Sequence, residues 1–248
     1  MLNRIEGIVI RAMDYGEGHK IITLYTKEAG RVTVMARGAK KLKSRFSAIA
    51  QLFTYGEFVF FKTGAMGTLN HGEIIRSHHL LREDLLKAAY ASYIAEMIDR
   101  MTEHEAGSSA LFEQLEAAFE AIEDGKDPQI VAHVMEMKIL EFSGYGPEFE
   151  ACVSCGRETG LSVLSFQLGG VLCSPCQTKD PSARHIEEGT WKLLRLFRRM
   201  DLRRLGKISV KNETKKQIKP ILRGLMDTHI GIQWKARNFL DQMEKYEI

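Results

Sequence analysis

Residues 6–46, EGIVIRAMDYGEGHKIITLYTKEAGRVTVMARGAKKLKSRF, contain the clearest secondary-structure pattern in the first part of this chain. They include most of an apolar, β-branched run over residues 5–10 and the whole of two further runs, over 21–25 and 32–36. Gly30 marks a turn before the third run, in which apolar residues alternate along the chain. Short alternating runs bounded by glycine are typical of β-strands. The stretch therefore predicts three consecutive strands.

Two more runs, over residues 53–61 and 69–75, continue this pattern. Gly64, Gly67 and Gly72 punctuate them. Five short strands with turn signals and no long helix indicate a small closed or half-closed barrel. A five-stranded barrel of this size is typical of an OB-fold, although SH3-like barrels give a similar pattern. We therefore expect an OB-fold nucleic-acid-binding domain over residues 1–80.

The hydrophobic period changes after the barrel, where apolar residues recur at the spacing of one helical face: Leu86, Tyr90, Tyr93, Met97 and Met101. A second stripe consists of Leu111, Leu115, Ala118 and Ile122, and a third of Ile130, Val134 and Met137. Asp127 followed by Pro128 is a typical helix start. We expect these stripes to lie in a core.

Helical signals return over residues 187–200, and residues 212–245 predict two further helices. The chain is therefore predicted to be an α+β protein. In this interpretation an N-terminal five-stranded OB-fold barrel is followed by an α-helical domain over residues 81–248, and a four-cysteine zinc module is inserted in that domain over residues 150–178.

Charge is distributed unevenly, although the formal net charge is only +3. Residues 1–80 contain 12 Lys and Arg against 6 Asp and Glu, and residues 151–248 contain 18 against 10. Residues 81–150 contain 5 basic against 16 acidic side chains. The basic ends are therefore candidates for binding nucleic acid, whereas the acidic middle is not.

The bulk composition narrows the class of protein. A chain of 248 residues that is 44% hydrophobic and 27% charged can bury a substantial core. The N-terminus, MLNRIEGIVI, has charges inside its apolar run and lacks a small-residue cleavage site, so it is not typical of a signal peptide. The longest apolar runs, such as residues 58–61, are far shorter than a membrane span. We expect a cytoplasmic protein without membrane association.

The four cysteines form two Cys-x2-Cys pairs, Cys152 with Cys155 and Cys173 with Cys176, with 17 residues between the pairs. This spacing is typical of a four-cysteine zinc site. Two residues between ligands let one tight turn present two thiolates to the same ion, and a hairpin can bring the second turn opposite the first. Four thiolates leave no open coordination position, so we predict one structural zinc ion per chain.

Other chemistry for the cysteines fits less well. A thioredoxin-like redox centre needs one pair at a helix N-terminus in a βαβ unit. A zinc deaminase needs H-x-E followed by P-C-x-x-C, and His71-Gly72-Glu73 matches only the first half. Ala151 and Leu172 stand where the proline should be. A zinc-dependent nucleobase-modifying enzyme that uses Glu73 is therefore a minor alternative.

Residues 30–56 contain no acidic side chain. Within them, ARGAKKLKSRF places five cations in nine positions between two predicted strands: Arg37, Lys40, Lys41, Lys43 and Arg45. A basic segment anchored at both ends on a barrel can follow a phosphate backbone and release counterions. Phe46, Phe53 and Tyr55 are near in sequence, and single-strand binders stack bases on such rings. A solvated loop beside core aromatics is the competing interpretation.

The sequence gives no support for an enzyme. It lacks G-x-x-x-x-G-K-[ST], G-x-S-x-G and H-E-x-x-H. The histidines are scattered, and His78-His79 at the strand-to-helix junction is interpreted as structural.

Residues 6–46 resemble the N-terminus of the RecO family of bacterial DNA repair and recombination proteins. The resemblance rests on Tyr15-Gly16-Glu17, on Thr26 with Gly30, and on Ala36-Arg37-Gly38 followed by Lys40, Lys41, Ser44 and Arg45. EFSGYGPEF before the first cysteine pair and WKARNFL near the C-terminus extend it over nearly the whole chain. The family has an N-terminal OB-fold, a helical domain and, in a subset, a zinc module with four cysteine ligands.

The resemblance implies a non-enzymatic recombination mediator, cytoplasmic and nucleoid-associated. Such proteins bind single- and double-stranded DNA, anneal complementary strands and, with RecR, help load RecA onto DNA coated by single-stranded DNA-binding protein. They also bind the C-terminal tail of that coating protein. The basic segment is then the DNA contact, with Arg11 and Arg31 as weaker candidates. The resemblance does not assign the pocket for the tail to particular residues. Lys138 is one of few cations in the acidic region that could line such a pocket.

A third hypothesis rests on the same barrel and cysteines. It is a zinc-ribbon protein that binds RNA or serves as a scaffold.

Overall fold

The computed structural model describes residues 1–104, 106–206 and 208–246. Its contacts group the chain into two compact units. The first consists of Met1–Pro128 together with the segment that begins at Trp234, and the second of Gln129–Gln233. The domain boundaries expected from the sequence, at residue 80 and around 150–178, stay predictions.

Five strands form the N-terminal barrel: β1 (Leu2–Tyr15), β2 (His19–Thr26), β3 (Gly30–Ala36), β4 (Tyr55–Thr63) and β5 (Met66–Arg76). Their order is β1-β2-β3-β5-β4, and an antiparallel pairing of β4 with β1 closes the barrel. β3 and β5 pair in parallel, whereas the other neighbours are antiparallel. The predicted five-stranded barrel is confirmed, and the closed arrangement fits an OB-fold.

The barrel core is filled by inward-facing strand residues and by part of the segment between β3 and β4. Its buried members include Val9, Ile22, Leu24, Val34, Phe58, Phe60 and Leu69. Full burial of one such side chain contributes about 1.5–3 kcal/mol. Gly67 permits the close approach of β5 to β3, because a Cβ atom there would lie 2.4 Å from the Phe60 ring and 2.8 Å from Val34.

Beyond the barrel, the described residues form seven α-helices: α1 (Leu80–Glu83), α2 (Leu85–Met101), α3 (Ser109–Glu123), α4 (Pro128–Phe142), α5 (Glu188–Arg199), α6 (Asn212–His229) and α7 (Lys235–Tyr246). The first three and the last belong to the same compact unit as the barrel. Both helices expected in the tail are present.

The buried face of α2 differs from the predicted stripe. Tyr93 and Met97 are buried as expected, but Leu86 is 46% exposed. Ile94 and Ile98 are fully buried instead. The face is rotated because α2 packs against both β1 and α7, and the local periodicity contains no information about that second neighbour.

The predicted stripe of α3 is confirmed, since all four of its residues are buried. This helix packs against the outside of the barrel through aromatic rings. The Phe112 ring stacks on Tyr25 with centroids 6.2 Å apart, and the Phe119 ring meets Phe53 edge-on at 5.2 Å. These ring pairs fix α3 to the barrel wall.

The last helix, α7, is attached to α2. The Glu96 carboxylate accepts hydrogen bonds from the backbone N–H groups of Lys235 at 3.0 Å and Ala236 at 2.8 Å, which are otherwise unpaired donors of the first turn. Trp234 is fully buried, and its ring meets Tyr93 edge-on at 6.4 Å. Both contacts come from side chains of α2.

The second unit combines α4, α5 and α6 with a small sheet. Helix α4 begins at Pro128, as the Asp-Pro pair predicts, and its stripe is buried. The sheet consists of β6 (Leu161–Ser165), β7 (Gly170–Cys173) and β8 (Arg184–His185), with β6 in the centre. A 3₁₀ helix over Ser174–Lys179 follows β7.

Ion pairs within the second unit join arginines of α5 to glutamates on and after α4: Arg195 and Arg199 to Glu150, and Arg198 to Glu141 and Glu148. Part of the positive charge counted in the last hundred residues is therefore already paired with acidic side chains of this unit.

Candidate functional site

The basic segment, residues 37–54, connects β3 to β4 by a series of turns. Four of its apolar residues are buried in the barrel core: Ala39, Phe46, Ile49 and Ala50. Ile49 closes one part of the barrel tightly, because a Cβ atom on Gly56 would lie 2.8 Å from the Ile49 side chain. The segment is thus anchored in the core at Ala39 and again from Phe46 onward, and the residues between these anchors lie on the surface.

The five predicted DNA contacts, Arg37, Lys40, Lys41, Lys43 and Arg45, are all exposed. Lys40 forms an ion pair with Asp14 at 2.7 Å, and the hydrogen bond from its ammonium lowers the pKa of that carboxyl group. The Arg45 guanidinium lies over the Phe46 ring at 4.7 Å. The structure therefore groups the five cations on one exposed segment; whether they contact DNA stays a prediction.

The turn between β1 and β2 fixes the start of this segment. The backbone N–H of Gly38 donates to Nδ1 of His19 at 2.9 Å, and the backbone N–H of Lys40 donates to the Gly18 carbonyl at 3.1 Å. The Lys41 side chain lies against Gly18. These contacts place the first cations beside the β1–β2 hairpin.

The weaker candidates, Arg11 and Arg31, lie elsewhere. Both approach the Asp99 carboxylate of α2, at 3.8 Å and 3.2 Å respectively. Arg31 is also half-buried. The shared acidic partner reduces the positive charge that both offer to a phosphate, and burial makes Arg31 less accessible, so they remain weaker candidates than the basic segment.

The aromatic rings close to the basic segment are core residues. Phe46, Phe53 and Tyr55 are buried. The Tyr55 hydroxyl donates to the Glu6 carboxylate at 2.6 Å. The core interpretation of these rings is confirmed, and none of the three presents a face for base stacking.

The outside of the barrel instead carries exposed apolar side chains that were not among the predicted site residues. Met13 and Tyr15 of β1 are exposed, and Leu42 in the basic segment is 99% exposed. Met13 and Tyr15 belong to the period-2 series of β1 that points away from the core, and this alternation is visible in the sequence.

The four cysteines form one cluster, in which the Sγ atoms all lie within 4.8 Å of one another. Each comes from a turn that the local structure defines. Gly156, at φ 74°, donates its N–H to the Cys152 carbonyl at 2.8 Å and closes the first turn. Cys173 ends β7, and Cys176 lies in the 3₁₀ helix that follows.

The donor set fits a tetrahedral metal ion. Sulfur ligands at about 2.3 Å from a zinc ion lie roughly 3.8 Å from one another, and Sγ of Cys155 is 3.6 Å from Sγ of Cys173. The cluster can therefore hold a metal ion through four thiolates, which leaves no open coordination position.

The thiols differ in their acidity. Burial disfavours the Cys152 thiolate, but backbone hydrogen bonds from Cys173, Ser154 and Cys155 outweigh burial and lower its pKa to about 6. Burial raises the pKa of Cys173 to about 11; the side chains of the other three cysteines act in the same direction, and the backbone N–H of Cys176 opposes the shift. A bound cation would favour deprotonation of all four thiols.

The remaining predicted groups are not part of this cluster. His71 and Glu73 lie on β5 of the barrel, paired opposite Val59 and Glu57, and the metal-binding group found among the described residues contains only cysteines. The Lys138 ammonium donates to the Arg198 carbonyl at 2.7 Å and to Glu141 at 3.3 Å, so internal contacts engage it.

His78 has a structural role, as expected. Its ring is buried, and Nδ1 lies 2.7 Å from the Glu123 carboxylate. In the part of the chain that the structure describes, every helix is too short or too polar to cross a membrane.

Comparisons with known proteins agree with this architecture. The family model for the N-terminal domain of recombination protein O matches residues 1–78, and the model for its C-terminal domain matches residues 82–238.

Three curated relatives cover almost the whole chain. The DNA repair protein RecO of Halalkalibacterium halodurans is 45% identical over 98% of this chain and 96% of its own length. The protein of the same name from Bacillus mycoides is 44% identical over the whole of both chains. That of Bacillus subtilis is 44% identical over 98% of this chain and 96% of its own length. With both domain models matched in order and relatives of this identity over its full length, the chain belongs to the RecO family of DNA repair proteins.

Proposed function

We propose that this chain is a recombination mediator that binds DNA through the basic segment and catalyses no reaction itself. The observation that carries the proposal is the exposure of five cations on a segment that the barrel core anchors. Anchoring matters because a pre-ordered row of cations loses less conformational entropy when it engages a phosphate backbone.

The binding we propose is electrostatic and independent of sequence. Each phosphate that a Lys or Arg neutralises releases counterions, so affinity falls with salt at a log–log slope of about −0.7 per contact for a single strand and about −0.9 for a duplex. Such contacts suit a protein that handles both single- and double-stranded DNA. They also screen the repulsion between two complementary strands, which favours annealing.

Membership of the RecO family supports the further steps. We propose that the chain acts with RecR to help load RecA onto DNA coated by single-stranded DNA-binding protein, in the bacterial cytoplasm at the nucleoid. We also propose that it binds the C-terminal tail of the coating protein. Lys138 is a poor candidate for the pocket that holds this tail because its ammonium group is engaged internally.

The four-cysteine cluster supports a structural role for a metal, and we propose that the metal is zinc. Cys152, Cys155, Cys173 and Cys176 would hold it. The bound ion would join the turn that follows residue 150 to the end of the β6–β7 hairpin, and a shell of four thiolates suits that task rather than activation of water.

The test is a salt titration of single-strand binding, followed by annealing on precoated DNA. The triple variant Lys40→Ala, Lys41→Ala, Arg45→Ala is expected to flatten the log–log slope by about 2, since three contacts at about 0.7 each are lost. The charge-conserving variant Lys40→Arg, Lys41→Arg, Arg45→Lys is the matched control and should keep the slope. An unchanged slope in the alanine variant would remove this segment from the binding site.

The RNA-binding alternative makes a different prediction in the same assay. A single-stranded RNA competitor of matched sequence would displace DNA at lower concentration than DNA itself if RNA were the ligand. For the nucleobase-modifying alternative, Glu73→Gln would abolish turnover while DNA binding persisted.

A further inference from the structure

An apolar strip runs across the outside of the barrel, on β1, β2 and β3. We define it as Met13, Tyr15, Ile21 and Met35. Met13 pairs with Ile21, and Ile21 pairs with Met35, in the antiparallel register of the three strands. Directly opposed residues of antiparallel strands point to the same face, and so do residues two apart on one strand. The four side chains therefore share one face.

That face is the outer one, and its end next to the basic segment is open. The alternating residues Ile22 and Val34 point into the barrel core. Further along β2, Tyr25 is covered by Phe112 of α3. In contrast, Met13 is 44% exposed and Tyr15 is 52% exposed.

The strip adjoins the basic segment directly. Tyr15 pairs with His19 across the hairpin, and His19 accepts the hydrogen bond from Gly38 at the start of the segment. The acidic neighbour Asp14 is already paired with Lys40. Glu17, in the turn, is a second exposed acidic residue of this hairpin. An exposed aromatic ring thus lies beside a group of cations.

We propose that this strip binds the unstacked bases of single-stranded DNA, with Tyr15 as the stacking platform, while the basic segment holds the phosphates. The proposal rests on the proposed DNA-binding function and adds that the bases of the strand are recognised as well as its phosphates. A duplex hides the faces of its bases, whereas a single strand can present them to an aromatic ring. The strip therefore favours binding of single strands over binding of a duplex. The positive charge of the basic segment alone would not give this preference.

Stacking on an open outer surface has a chemical advantage for annealing. The ring contacts the face of a base, so the pairing edge of that base stays accessible to a complementary strand. Because every base has such a face, the recognition is independent of sequence.

The experiment compares the full-length chain with Tyr15→Ala on an oligo(dT) strand and on a duplex of the same length. Loss of one stacked base is expected to weaken single-strand binding by about 5- to 150-fold. Duplex affinity and the salt slope should stay as in the parent chain, because the phosphate contacts are kept. Phe239→Ala is the matched control, since Phe239 on α7 is 44% exposed but lies outside the barrel.

A second variant reports contact directly. Tyr15→Trp should bind oligo(dT) at least as well as the parent chain, and its added indole fluorescence should be quenched by the oligonucleotide. The signal is read as the difference from the parent chain, which contains Trp191 and Trp234. Thermal melting of both variants establishes that they are folded.

The outcomes separate the two proposals. If the parent chain binds oligo(dT) but Tyr15→Ala binds equally well, or the new indole is not quenched, the strip is not a base-binding surface and the electrostatic function stands. If the parent chain binds no single strand, both proposals fail.

Discussion

Gly38 donates its backbone N–H to Nδ1 of His19 across 2.9 Å. This hydrogen bond joins the first residues of the basic segment to the β1–β2 hairpin. Because His19 pairs with Tyr15 across the hairpin, the bond ties the start of the basic segment to the end of the outer apolar strip.

Replacing His19 by Phe keeps a ring at this position but removes the acceptor. A typical net hydrogen bond contributes about 0.5–1.5 kcal/mol, so single-strand affinity is expected to fall by about two- to tenfold. Amide exchange over residues 37–45 should become faster. Fluorescence anisotropy and exchange measured by mass spectrometry check both. The control is His71→Phe, an exposed histidine of the same barrel; an equal loss in both variants would contradict a specific role for His19.

Removal of the metal should affect the cysteine cluster first. Elemental analysis is expected to find about one zinc ion per chain, because four thiolates converge on one point. Chelation should expose residues 150–180 to protease while the barrel stays resistant. Cys173→Ser should reproduce the effect without a chelator, whereas Ser174→Ala should not. Purified protein that contains no metal would refute the prediction.

Two glycines with similar backbone angles should differ in their tolerance of alanine. Gly30 has φ 60° and Gly64 has φ 76°. A Cβ atom at Gly30 would lie 2.5 Å from the Glu103 carbonyl oxygen, whereas one at Gly64 would meet nothing within 4 Å.

Gly64→Ala should therefore lower the free energy of unfolding by only about 1–2 kcal/mol, the cost of a left-handed residue with a side chain. Gly30→Ala adds a backbone clash and should cost clearly more. Urea denaturation of both variants measures the difference, and equal losses would show that crowding at Gly30 is unimportant.

Stability should fall in mild acid because of His78. Burial lowers the pKa of this imidazole, and the Glu123 carboxylate opposes the shift without cancelling it. Below the ordinary histidine pKa of about 6.5, the unfolded chain therefore binds a proton that the folded chain does not. The free energy of unfolding should decrease as the pH drops through that value.

His78→Asn should reduce this pH dependence, and asparagine tolerates the φ of 46° at this position. Urea unfolding between pH 7.5 and 5.5, values chosen to bracket about 6.5, compares the slopes. His79→Asn, on the exposed neighbour, is the control. Parallel slopes for all three chains would exclude His78 as the titrating group.

The barrel and the cysteine cluster could be predicted because their signals are local. Period-2 alternation over residues 32–36 reports which side of a strand is buried, and two residues between cysteines report a shared turn. Both structures follow directly from short stretches of chain.

Tertiary packing explains what could not be predicted. Leu86 fits the helical stripe of α2 yet is exposed, because α7 arrives from a distant part of the sequence and selects another face. Phe46 and Ile49 lie in a segment that looks like a flexible loop, yet they enter the barrel core. Tyr15 is the aromatic side chain that is exposed beside the cations. In the sequence, only its position in the alternating pattern of β1 indicates that it points outward.

The attachment of α7 to α2 has a consequence for synthesis on the ribosome. The barrel and α1–α3 emerge first, but Trp234, which fills the site against Tyr93, follows only after residues 129–233. At about 5–20 residues per second, that interval is on the order of 5–20 s. During this time the side of α2 around Tyr93, which Trp234 covers in the folded chain, stays uncovered on the nascent first unit.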